Sequence, residues 1–110
     1  MEGAPNEEDP TEFDIIAQAI KEKGSEDPET REALIAWTIK QEETIEAIED
    51  REAHALAKIA FERTRARLYK IAGYSDAGLQ TLQDAREIAG NERLDDLAGE
   101  IALEIESWND

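Results

Sequence analysis

Between Pro28 and Gly73 the chain contains neither proline nor glycine, and apolar residues recur there at helical spacing. Proline and glycine are the residues that most often end regular structure, so so long a stretch without them points to helix. The core palette agrees. Valine is absent and aromatics make up 5% of the chain, so Ile, Leu and Ala must supply the interior. Strands favour β-branched and aromatic residues, and their scarcity argues against a sheet. The expected class is all-α, a small bundle of about five helices.

At 110 residues the chain is the size of one small domain, and the hydrophobic burial expected of it is modest. A partner or a second copy is therefore expected to add to its stability. The formal net charge is -16, from 28 acidic and 12 basic residues. Such an excess repels phosphates and anionic lipid, which disfavours binding to nucleic acid or to a membrane. It suits a basic protein partner, or an acidic inhibitor that imitates the charge of nucleic acid. Cysteine is absent, so neither disulfides nor thiolate chemistry enter, and cytoplasm is the default compartment. No apolar run approaches the ~20 residues that span a bilayer. The start, MEGAPNEEDPTEF, has no cationic or apolar segment of the kind a signal peptide carries.

Residues 1–10 combine Gly, Pro and acids and read as a disordered acidic lead-in, leaving 11–110 as one helical domain. Thr11 is a candidate N-cap with Asp14 three residues on, and Phe13, Ile16, Ala17 and Ile20 share a face. Lys21 and Lys23 suit the last turn and Gly24 the stop, giving a helix over 11–23. Asp27 before Pro28 predicts the next start. The charged runs at 40–44 and Glu49–Glu52 are the weak points that divide the following stretch into helices over 28–50 and 52–72. Gly73 predicts a left-handed stop, with Ser75 capping a helix that ends at Gly90-Asn91. A last helix is expected over 92–107. Acids crowd Glu42 to Glu52 and bases crowd Lys58 to Lys70, so an antiparallel pairing would set one against the other.

The stretch RARLYKIAGYSDAGLQTLQDAREIAG, Arg65 to Gly90, resembles one repeat of the tetratricopeptide family over about 59–89. Tyr69 matches the family's Tyr, Ala66 a small position before it, and Gly78, Leu82 and Ala85 the small-large-small pattern of the second helix. Glu62, Arg65 and Gly90 stand where the family has Trp, Leu and Pro. The resemblance implies a close helical hairpin, turning at Gly73, and protein or peptide binding along a concave surface. Arg63, Arg67, Tyr69 and Lys70 are the expected polar rim of such a groove. The same stretch scanned as a DNA-reading helix-turn-helix fails, since its second helix, SDAGLQTLQDA, holds Asp76 and Asp84 and no Lys or Arg, leaving only Gln80 and Gln83 to read bases.

No catalytic motif is evident, and an enzyme is not expected. Glu46, Asp50 and His54 are four apart, a spacing that on one helix could offer metal ligands. Arg51 stands three before His54, so the Glu-x-x-His element of di-metal bundles is missing, and a surface histidine beside acids is the preferred reading. Neither metal nor cofactor is expected. Trp37, amid ALIAWTI, reads as core, and Trp108 as a cap on the bundle or a contact. Helix 28–50 is apolar nearly all round at Leu34, Ile35, Trp37 and Ile39, which marks deep burial or a self-contact. The expected function is a non-catalytic protein-protein interaction module, binding a protein partner or itself as a homodimer.

Overall fold

The computed structural model describes residues 11–109, and the expected lead-in at 1–10 lies outside them. Five helices follow in order: α1 (Glu12–Lys23), α2 (Pro28–Glu46), α3 (Arg51–Ile71), α4 (Ser75–Asn91) and α5 (Asp95–Glu106). No strand occurs among the described residues, so the chain is a small all-α bundle.

Local chemistry sets most of the boundaries. Thr11 and Asp14 form a reciprocal capping box, each side chain accepting from the other's backbone N–H at 3.1 and 3.3 Å. Gly24, at φ 89°, ends α1. Asp27 caps α2 by accepting from the Thr30 N–H at 3.0 Å, with Pro28 in the first turn. The Asp50 carboxylate accepts from the Ala53 N–H at 2.8 Å and so starts α3. That cap is why the long stretch divides: α2 stops at Glu46, four residues before the expected 50, and α3 begins at Arg51.

Two other boundaries depart from expectation. Ser75 is the first residue of α4 and makes no cap; Tyr74 holds the capping position, with no side-chain hydrogen bond to the helix's free N–H groups. Gly73, at φ 93°, lets the Tyr74 N–H reach the Tyr69 carbonyl at 2.8 Å, so the turn closes through backbone alone. α4 ends at Asn91, at the Gly90-Asn91 stop expected, but the turn beyond it differs. The left-handed residue there is Arg93, at φ 61°, with Leu94 N–H on the Ala89 carbonyl at 2.8 Å, and α5 begins at Asp95 rather than 92. A side chain in this conformation is strained, so Arg93→Gly is expected to gain about 0.5–1 kcal/mol, read from urea denaturation midpoints.

α3 is shared by two hydrophobic cores. One holds Ile16, Ala17 and Ile20 of α1, Trp37 and Ile45 of α2, and Phe61 and Leu68 of α3. The other holds Ile59 and Ala66 of α3, Leu82, Ala85 and Ala89 of α4, Ile101 of α5, and Trp108. α3 and α4 pack most extensively of any pair, α4 and α5 next, while α2 meets α3 much more sparsely. The small residues explain the first pairing. Ala66, Leu82 and Ala85 are fully buried, and a Cβ built on Gly78 would lie 2.7 Å from the Ala66 carbonyl oxygen. Helices approach this closely only where a side chain is missing.

The cations of α3 do not answer the acids of α2. Arg63 and Arg67 both reach Glu104 of α5, at 3.0 and 3.1 Å, and Arg51 pairs with Glu92 at 3.0 Å. No ion pair joins α2 to α3 among the described residues. The helices carrying those acids and bases meet chiefly through Trp37 and Phe61, whose rings lie 5.3 Å apart. Because Glu104 is only 17% exposed and holds two guanidinium groups, Glu104→Ala leaves them facing each other unpaired. The expected loss is about 1–3 kcal/mol in denaturation free energy, with Glu104→Gln losing less.

Candidate functional site

Where α2 and α3 pack sparsely, a groove of about 470 Å³ stays open. α2 supplies Arg31, Leu34, Ile35, Thr38 and Ile39 to one wall, and α3 supplies Arg65, Leu68, Tyr69 and Ala72 to the other. Ser25, Glu26 and Tyr74 close one end. The helical spacing of Ile35 and Ile39 puts them on one stripe, and they are 54% and 50% exposed, with Tyr74 at 48%. Large apolar side chains so exposed along one groove form a patch rather than isolated surface residues.

Polar groups along the groove are largely tied within the chain. The Tyr74 hydroxyl donates to Glu26 at 3.2 Å, joining the turn before α4 to the turn before α2. Thr38 donates its hydroxyl to the Leu34 carbonyl one turn back at 2.9 Å. The Arg65 guanidinium lies over the rings of Phe61 and Tyr69, 5.5 and 5.8 Å from their centroids. It also sits 2.9 Å from Glu62 in an ion pair. The approach is misaligned, so Arg65 Nε and Glu62 Oε1 are buried without a hydrogen bond.

Burial therefore pushes the Glu62 carboxyl up from its ordinary value, and Arg65 and Lys58 offset only part of that. The folded chain holds this proton more tightly than the unfolded one, so stability falls as pH rises through and above the range near 4.5. Glu62→Gln is expected to raise the melting temperature at pH 7 and to make no difference below about pH 4, followed by circular dichroism.

The expected rim residues part company. Tyr69 lines the α2–α3 groove. Arg63 and Arg67 point to α5 and Glu104, and Lys70 donates to the Trp108 carbonyl while lying 4.6 Å from its ring. Those three cations are held by groups of the same chain rather than along the groove, Arg67 and Lys70 while remaining exposed. Gly73, Ala66, Gly78, Leu82 and Ala85 meet in the α3–α4 hairpin and its turn. His54 sits half-buried with Nδ1 3.4 Å from the Ile48 carbonyl; the break between α2 and α3 puts it on a different helix from Glu46, although both line one small cavity with Lys58 and Glu62. Among the described residues no three His, Asp or Glu side chains are grouped as a metal ion requires. No described helix is long and apolar enough to cross a membrane.

Trp37 is core, but its neighbours Ile35 and Ile39 face outward. The all-round apolar character of ALIAWTI was the sequence signal for this groove. Nothing comparable marked Arg31, Arg65, Tyr74 or Glu104. No protein-family model, curated protein or solved structure matches the chain.

Proposed function

We propose that this chain is a non-catalytic protein-protein interaction module, working in the cytoplasm, whose contact surface is the α2–α3 groove. The observation that carries this reading is the half-exposed pair Ile35 and Ile39 beside an open groove. Isoleucines on a helix are covered in most folds, and the half of each left in water here forgoes about 1 kcal/mol apiece. A groove between two helices is the shape that receives a third, through apolar side chains one turn apart. The surface thus differs from the rim first expected: of Arg63, Arg67, Tyr69 and Lys70, Tyr69 alone belongs to it. The close Ala66–Gly78 approach supports reading α3–α4 as a tetratricopeptide-like pair that serves as scaffold.

The test is titration of the full chain with a designed helical peptide bearing leucines at i, i+4 and i+7, read by amide chemical shifts. Shifts gathered at residues 25–39 and 65–74 are expected. Shifts elsewhere, or none, would overturn the proposal. Ile35→Glu with Ile39→Glu should abolish the response while changing folding stability by under about 0.5 kcal/mol, since both side chains are already half in water.

A further inference from the structure

The outer surface of α2 bears a pattern that is its own complement. Arg31, Ile35, Ile39 and Glu42 follow at spacings of four, four and three, which puts them on one helical stripe. All four are exposed, and Arg31, Ile35 and Ile39 line the groove. Read from its start the stripe runs cation, apolar, apolar, anion. Turned end for end it runs anion, apolar, apolar, cation. Two copies of α2 laid antiparallel about a twofold axis near Trp37 therefore set Ile35 on the partner's Ile39 and bring Arg31 to the partner's Glu42–Glu43 turn, within reach of Glu42, each contact made twice.

Resting on the reading that the α2–α3 groove is the contact surface, we infer that its occupant is α2 of a second copy of this chain. Neither Arg31 nor Glu42 is held in an ion pair among the described residues, and Glu42 lines a small cavity with Lys58 and Glu62. The groove's other charges are Arg65, already beside Glu62, and Glu26, which accepts from Tyr74. A twofold interface is self-complementary by symmetry, so one stripe that pairs with its own reverse is sufficient. The net charge of -16 opposes association at long range, but at about 0.15 M salt that repulsion is screened beyond roughly 8 Å. Contacts on the stripe are shorter than this and keep their sign.

Sedimentation equilibrium at that salt tests the inference. The wild-type chain should be a dimer that dissociates on dilution. Arg31→Glu places like charges opposite each other twice, and so does Glu42→Arg; each should weaken the dimer by about tenfold. An equimolar mixture of the two variants restores every opposite-charge pair and should associate at least as tightly as wild type. Circular dichroism checks that each variant keeps its helices. Single reversals without effect, or a mixture that stays monomeric, would overturn the inference. A wild-type monomer would overturn it too; if the designed peptide still shifts the groove amides, the contact-surface reading survives, and if it does not, both fall.

Discussion

Replacing Gly78 with alanine is expected to lower stability by about 3 kcal/mol, the upper end for overpacking a core, seen as a large drop in the urea midpoint. The added methyl would meet two atoms at 2.7 Å: the Ala66 carbonyl oxygen and Cζ2 of Trp108. A side-chain tip can swing away, but a backbone carbonyl inside α3 moves only if the helix moves. The whole α3–α4 pairing is therefore pushed apart. Gly99 of α5 is the control, because nothing lies within 4 Å of a Cβ built there. Gly99→Ala is expected to stabilise by about 0.5–1 kcal/mol, since alanine is the better helix former. Opposite signs from one chemical change in two helices would separate packing from propensity.

Trp108→Ala should cost about 3–5 kcal/mol, the range for emptying an aromatic from a core. Trp108 follows the last helix, yet it is only 4% exposed and belongs to the second core. Its indole N–H donates to the Ser75 carbonyl at 3.0 Å, occupying a backbone acceptor in the first turn of α4. Its ring takes the Lys70 ammonium at 4.6 Å and covers Gly78. It thus clasps the start of α4 to the end of α3. Trp108→Phe keeps most of the volume and loses the hydrogen bond, and should fall between wild type and the alanine variant. Combined with Gly78→Ala the losses should add to less than their sum, because removing the ring removes half of the glycine clash. Guanidine or urea unfolding of the four chains closes that cycle.

Much of this fold was legible in the sequence, for local reasons. Thr11 with Asp14, Gly24, and Asp27 with Pro28 act within a few residues of themselves, and each caps or stops a helix as its chemistry dictates. The Ala66, Gly78, Leu82 and Ala85 pattern is local to one hairpin, and its burial followed from small residues at helical spacing. What failed depended on partners distant in sequence. Glu104 lies 41 residues from Arg63, and nothing near either residue shows that α5 returns across α3 to meet it. Three of the four residues expected as the polar rim of a partner groove, Arg63, Arg67 and Lys70, are thus tied to Glu104 and Trp108 of the same chain, Arg67 and Lys70 while still exposed. The helix end at Gly90-Asn91 was legible, but the left-handed residue beyond it, Arg93, was not, because an arginine does not mark such a position as a glycine would. The groove itself was half visible. The run ALIAWTI showed too many apolar residues for one buried face, but which of them stay outside depends on how sparsely α2 rests on α3.

The most direct measurement is an isotope-filtered nuclear Overhauser experiment on a mixture of labelled and unlabelled full-length chain. Cross-peaks between the Ile35 methyls of one copy and the Ile39 methyls of another are predicted, with none from Leu56 or Leu103, which are likewise exposed. Intermolecular cross-peaks confined to Leu56, Leu103 or Ile15, with Ile35 and Ile39 silent, would contradict the α2–α3 groove as the contact surface.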